Sequence, residues 1–272
     1  MSASTMLSSL SRLRASAGLR ALRLRRDDRG VAAVEFALLL PLMITLYIGS
    51  TEITQGVLAS RKMAILSRSL SDLVAQQPSG ITSPCTTAGL CDTTMTSIFS
   101  AASAIMSPFS TAALGDGTST LTMTVSGVEF VSYTSLPGSN AAKTWVPTQS
   151  KLATAFTPTT TDPGYQAMVR WSKVAASPNA GTARSCATPL TPADTSTAPA
   201  ATNLPQGLYS SGSLIIADVT YKYQPTFGQS FLAWSSSATY VSMSNTTYMR
   251  PRNWTTYITY SSQSGVGASC TG

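Results

Sequence analysis

The chain contains no histidine in its 272 residues. That absence removes imidazole acid–base catalysis, the Ser-His and Cys-His nucleophile pairs and the commonest metal ligand. Charge is scarce as well: Asp, Glu, Lys and Arg make up 11% of the residues, against about 25% in an ordinary soluble domain. The charge that exists is gathered at one end. Residues 1–30 hold seven arginines and two aspartates, a net +5, so only +2 of the total +7 is left for residues 31–272. The basic balance therefore belongs to a short leader, and no nucleic-acid partner is expected. Neither an enzyme nor a cofactor is expected from so poor a stock of chemical groups.

Cysteine is sparse and never paired as C-x-x-C. The four residues are Cys85, Cys91, Cys186 and Cys270, and without histidine a zinc site would need all four thiolates. An even count beyond a membrane segment reads as two disulfides in an oxidising compartment. Three pairings are possible. Proximity favours Cys85–Cys91, which leaves Cys186–Cys270.

Against these absences stands one long apolar run. Val31 to Gly49 is interrupted only by Glu35, Pro41 and Thr45, and at about 1.5 Å per residue it just spans a hydrocarbon core. It is too long for a signal-peptide core, and no A-x-A site follows closely. Arg20, Arg23, Arg25, Arg26 and Arg29 flank its N-terminal side, whereas Glu52 comes first on the far side. The positive-inside rule then puts the N-terminus in the cytoplasm and the bulk of the chain outside. Before the run, Leu7, Leu10, Leu13, Leu19 and Leu22 alternate with arginines. That pattern fits an amphipathic helix on an anionic membrane, a mitochondrial transit peptide or a plain cytoplasmic leader.

Past Gly49 the apolar positions thin to Ile53, Val57, Leu58, Ile65, Leu66, Leu70, Leu73 and Val74, a helical period. No proline occurs between Pro41 and Pro78, so one helix of about 70 Å is expected from Val31 to Gln76. Pro41 should kink it, and Gly49 and Gly56 mark soft points. The amphipathic half must pack against something. A short helix is expected over Thr93–Met106. Strands are expected at Leu121–Val125 with Val128–Tyr133, at Tyr165–Val174, at Leu214–Tyr223, at Thr239–Met249 and at Trp254–Tyr260. Residues 176–205 read as a surface loop around Cys186, too polar and broken for a strand. The expected fold is α+β: a long N-terminal transmembrane and amphipathic helix followed by an antiparallel β-rich extracytoplasmic domain. The divisions are a leader at 1–30, a transmembrane helix at 31–50, an amphipathic extension at 51–77 and the extracytoplasmic domain at 78–272.

Glu35 is the residue that needs a reason. A carboxylate near one end of a membrane helix costs up to about 2.5–3.5 kcal/mol, less towards the interface. It could snorkel to the headgroups, or it could answer the positive end of the helix dipole. A third possibility is a partner. If the chain were cut after Gly30, Val31 would carry a new α-amine, and that amine could neutralise a Glu35 on a neighbouring subunit.

The text RRDDRGVAAVEFALLLPLMI resembles the class III signal of type IV pilins, and is most similar to TadE-like pseudopilins of the tight-adherence (Flp) pilus. Gly30, Ala32, Ala33, Glu35, Phe36, Ala37, Leu38 and Pro41 carry the match. The resemblance implies cleavage between Gly30 and Val31 by a prepilin peptidase, with Glu35 as the fifth residue of the mature chain and an assembly residue, followed by Phe36. It implies a minor pilin of the inner membrane, N-terminus cytoplasmic and C-terminal domain periplasmic or carried outside in the pilus. Its partners would be the lipid bilayer, the major Flp pilin, other minor pilins and the inner-membrane assembly platform. The transit-peptide reading loses ground here, because it gives no reason for Glu35. The rival reading is an uncleaved single-pass anchor carrying a domain that binds a ligand or surface.

Four smaller features complete the reading. Asp218 and Glu129 lie inside strand text and are expected to point outward. Gly265-Val266-Gly267 lacks the helix that a phosphate loop needs. Trp145, Trp171, Trp234 and Trp254 are expected in the core or on the sheet, and the Met249–Arg252 turn offers a salt bridge to Glu52 or Asp72.

Overall fold

A computed structural model describes residues 29–77, 90–114, 117–132, 145–146, 151–152, 165–186, 188–193, 200–227, 240–252 and 260–261. The leader up to Asp28, Cys85, Cys270, Trp234, Trp254 and the Gly265–Gly267 text lie outside the described residues. The chain divides into two compact units, Met1–Thr54 and Gln55–Gly272.

Helix α1 runs from Arg29 to Ala75, 47 residues without a break, through Pro41, Gly49 and Gly56. Pro41 can donate no hydrogen bond, but its carbonyl accepts one from Thr45 Oγ1 at 2.7 Å. In the second unit α1 is one-sided. Ala59, Met63, Leu66, Leu70 and Val74 recur every three or four residues and are all buried, the spacing of a single helix face. Ser67 and Ser71 are buried on the same side.

Around that face the rest of the second unit is assembled. Strand β1 is Leu90–Cys91, and helix α2 follows at Asp92–Met106. The strands after it are β2 Leu121–Ser132, β3 Trp145–Val146, β4 Lys151–Leu152, β5 Tyr165–Val174, β6 Thr191–Ala193, β7 Asn203–Pro205, β8 Gly212–Tyr223, β9 Val241–Met249 and β10 Tyr260–Ser261. The main sheet has four antiparallel strands in the order β5-β2-β8-β9, and three two-stranded pairs join β1 to β10, β3 to β4 and β6 to β7. The long strands coincide with the runs of alternating or continuous apolar text, because Val, Ile, Tyr and Thr fill a pleated, half-buried surface best.

Each face of the sheet has its own core. On one, Ile215, Ala217, Val219 and Tyr221 of β8 join Leu121, Met123 and Val125 of β2 beneath α1 and α2. Helix α2 contributes Met95, Ile98, Phe99, Ala102 and Met106, and Lys62 of α1 donates to the Ile105 carbonyl at its C-terminal end (3.1 Å), where the helix dipole favours a cation. On the other, Leu214 and Ile216 join Val128, Phe130, Ala167 and Val169 beneath Leu190, Leu204 and Tyr209. The register between β2 and β5 shifts at Gly127/Val128, where Gly127 pairs with Trp171 and Val128 with Val169. Arg170 is the extra residue of this bulge. The bulge lets Trp171 face the helices while Val169 and Ala167 face away.

Two expectations are corrected. The segment 176–205 is not a plain surface loop: it contains the parallel pair β6–β7 and buries Arg184, Leu190 and Leu204. Its apolar residues are too widely spaced to read as a strand, but they need only plug the sheet's second face. The apolar stripe expected on α1 is also redrawn. Leu66, Leu70 and Val74 are buried, whereas Ile53, Val57, Leu58, Ile65 and Leu73 are exposed. Ala59, Met63, Ser67 and Ser71 share the buried face with Leu66, Leu70 and Val74. The expected salt bridge at the end of the sheet is present: Arg252 Nη2 lies 2.7 Å from Asp72 Oδ1, and the Arg252 N–H donates to the Ala75 carbonyl.

Candidate functional site

The residues singled out in the sequence lie together on the first two turns of α1. Gly30, Val31, Glu35 and Phe36 are all exposed, and the bond between Gly30 and Val31 falls within the first helical turn. A Cβ placed on Gly30 would meet nothing within 4 Å. Folding therefore sets no steric demand for glycine at position 30.

The apolar run is bare over its whole circumference. Its most hydrophobic 18-residue window has a mean hydropathy of 2.2 and is 0% buried. Val34, Phe36, Leu38, Leu42, Met43 and Leu46 are all more than half exposed. A one-sided helix would leave a polar face for water, and this one has none. It is long and apolar enough to cross a membrane. Glu35 sits within this surface, and among the described residues it has no ion-pair or hydrogen-bond partner. The hydroxyls beyond the run are satisfied inside the helix: Ser50 donates to Tyr47 O, Thr51 to Ile48 O and Thr54 to Ser50 O, each at 2.8 Å. Tyr47, 70% exposed, stands at that polar boundary, the depth at which amphipathic rings collect in membranes.

The remaining polar clusters hold the second unit together. Arg184, buried although it lies in Ser- and Thr-rich text, contacts Asp218 on β8 and donates to the Ala200 carbonyl at 2.9 Å. Its own N–H donates to Ser172 Oγ at 2.9 Å, and Ser172 contacts Ser126 at the same distance. Glu129 pairs with Arg170. Thus Asp218 and Glu129 are not free outward residues; each answers an arginine that carried no signal in the sequence. At the start of α2, Asp92 accepts from Lys173 Nζ at 2.6 Å and from the Tyr260 hydroxyl. Tyr260 stacks on Trp171 with ring centroids 5.6 Å apart. Burial, and then the hydrogen bond to Asp92, raises the Tyr260 pKa well above its ordinary value of 10.0.

Cys91 and Cys186, the two cysteines among the described residues, are both disulfide-bonded. The expected pairing involves Cys85 and Cys270, outside the described residues. Among the described residues no three His, Cys, Asp or Glu side chains gather into a group that could hold a metal ion.

Fold and site together define a class: an α+β protein whose sheet packs on the amphipathic part of a helix that begins as a single apolar segment able to anchor it in a membrane. The family described as TadE-like protein matches residues 30–68. The match starts at the glycine before the apolar run and covers Glu35. No curated protein and no solved structure matches the chain.

Proposed function

We propose that this chain is a minor pilin of a Flp-type tight-adherence pilus, serving in its initiation or at its tip rather than as an enzyme. Residues 1–30 form a cytoplasmic leader that a prepilin peptidase removes between Gly30 and Val31. Residues 31–50 wait in the inner membrane, 51–77 extend the helix as a packing spine, and 78–272 lie on the periplasmic side, stapled by Cys85–Cys91 and Cys186–Cys270. The observation that carries this reading is the TadE-like match beginning at Gly30, together with an apolar helix that has no cover of its own.

Assembly follows from the chemistry of the junction. A helix end already carries unsatisfied N–H groups, and cleavage adds the Val31 α-amine. Glu35 of an adjacent subunit can neutralise that amine when helices bundle, with a coupling that grows as water and headgroups are excluded. The lone carboxylate then sets the stagger between neighbours. Contact with the major pilin, the other minor pilins and the assembly platform would form along the same bare surface.

N-terminal sequencing of membrane-extracted protein tests the processing step. A mature N-terminus at Val31 that disappears in a Gly30→Gln variant is the expected result; intact Met1 in assembled pili would overturn it and favour the uncleaved anchor. For the assembly step, Glu35→Ala should still insert in the membrane and should abolish piliation. Normal piliation in that variant would end the pairing role of Glu35.

A further inference from the structure

The main sheet ends on two unlike edges. Along β5, the Leu190 N–H donates to the Ala167 carbonyl at 2.8 Å, so that edge is partly covered. Along β9, no main-chain group among the described residues bonds beyond β8. The strand is nine residues long, VSMSNTTYM, with no charge and no proline, and its pairing with β8 runs from Tyr223↔Val241 to Ile215↔Met249 without a shift. Such an edge is ordinarily guarded by lysine, proline or a bulge, because its free N–H and C=O groups are a template for another strand. This one has none of these guards.

Beside this edge, which is uncovered among the described residues, runs a groove of about 650 Å³, between β9 and Ala64, Arg68, Ser69 and Asp72 of α1. Ile65 stands three, four and seven residues before Arg68, Ser69 and Asp72, so it shares their flank, and it is 56% exposed. Leu58 lies seven residues earlier on the same line and is exposed too. Arg61 and Arg68 are exposed and, among the described residues, without a partner, whereas Asp72 is held by Arg252. The uncompensated charge of this flank is therefore positive.

We propose that β9 accepts an extended, acidic-apolar segment of another polypeptide as a fifth strand of the sheet. Main-chain groups of the incoming segment complete the β9 ladder. Alternate apolar side chains cover Ile65 and Leu58, and a carboxylate meets Arg68. The spacing of free backbone groups along an edge calls for a strand, since a helix has none to offer. Charge decides against a second copy paired through β9, because that strand brings no carboxylate to Arg68. The proposal stands on the sheet edge and does not depend on the pilin reading.

The test uses the full-length protein in detergent micelles and a synthetic nonapeptide alternating valine with threonine around one central glutamate. Amide hydrogen exchange is followed by mass spectrometry. The peptide should slow exchange across Val241–Met249 about tenfold, as added ladder bonds do, and Arg68→Glu, an exposed site that leaves the fold intact, should remove the effect. The same peptide with alternate amides N-methylated should be inert. The proposal is overturned if millimolar peptide changes nothing, if the methylated peptide acts equally, or if β9 is already as protected as β2 in the free protein. Protection that grows with protein concentration alone would also overturn it, by naming a second copy as the occupant.

Discussion

Arg184 holds Asp218 with two hydrogen bonds from its guanidinium, Nε to Oδ2 at 3.0 Å and Nη2 to Oδ1 at 2.9 Å. The arginine side chain is 1% exposed and the aspartate 27%. This planar fork ties the 176–205 segment to the centre of the sheet. Asp218 also accepts from Thr246 on β9 at 2.8 Å, so one carboxylate joins three parts of the fold.

Removing the aspartate strands a buried guanidinium. Asp218→Ala is expected to destabilise the folded unit by about 3 kcal/mol, near the lower end for a broken buried pair because Asp218 is partly solvated. Replacing both residues, Arg184→Met with Asp218→Leu, should cost less than the single change. Chemical denaturation of the three proteins gives the comparison, and a double variant less stable than Asp218→Ala would contradict it.

Two adjacent residues of α1 should behave as opposites. Leu66 is fully buried and Ile65 is 56% exposed. Leu66→Ala is expected to cost about 2–5 kcal/mol, the usual range for a core cavity. Ile65→Ala should stay within about 0.5 kcal/mol. Thermal melts of the two variants, read against the parent, check which stripe of α1 carries the packing.

Gly127 lies beneath the indole of Trp171. A Cβ at position 127 would overlap Nε1 and Cε2 of that ring, and Trp171 is itself buried under the helices and stacked on Tyr260. Gly127→Ala should therefore cost about 1–3 kcal/mol, as overpacking does. By contrast Gly30→Ala, with open space around it, should leave the melting temperature unchanged. Equal melts for both variants would refute the difference drawn between a glycine that packing requires and one that it does not.

Stability should fall in alkali through buried and half-buried tyrosines. Tyr260, Tyr221 and Tyr248 all have pKa values raised from 10.0, mainly by burial. A raised pKa means the folded state holds the proton after the unfolded chain has lost it. The stabilisation is thus complete below pH 10 and declines as pH climbs beyond it. Tyr260→Phe should flatten part of that decline while lowering stability at neutral pH, because Asp92 loses a donor. Tyr248→Phe should cost nothing at neutral pH, since its hydroxyl is buried with no partner among the described residues. Denaturation midpoints between pH 7 and about pH 11 would show the slope, and a flat profile for the parent would exclude the effect.

Much of this protein was legible in its text. The apolar run, the lone Glu35 and the proline-free stretch specify α1 through local physics alone, because helix formation and hydrocarbon solubility depend on neighbours in sequence. The long strands were equally visible, since Val, Ile, Tyr and Thr in alternation need no distant partner to be recognised. Arg252 and Asp72 met as expected because a helix end and a strand end were bound to coincide when the sheet packed on α1.

What tertiary structure decided was which side of each element faces inward. Whether Leu66 or Ile65 would be covered depended on where the sheet lay around the helix, and 100° per residue leaves both choices open in a stretch with apolar residues on two sides. The partners of Asp218 and Glu129 were likewise hidden, since Arg184 lies in featureless Ser- and Thr-rich text and Arg170 gains its position from a bulge. An ion pair between residues distant in sequence leaves no period to read. The junction at Gly30–Phe36 is the reverse case: among the described residues no tertiary contact covers it, because the helix is bare there.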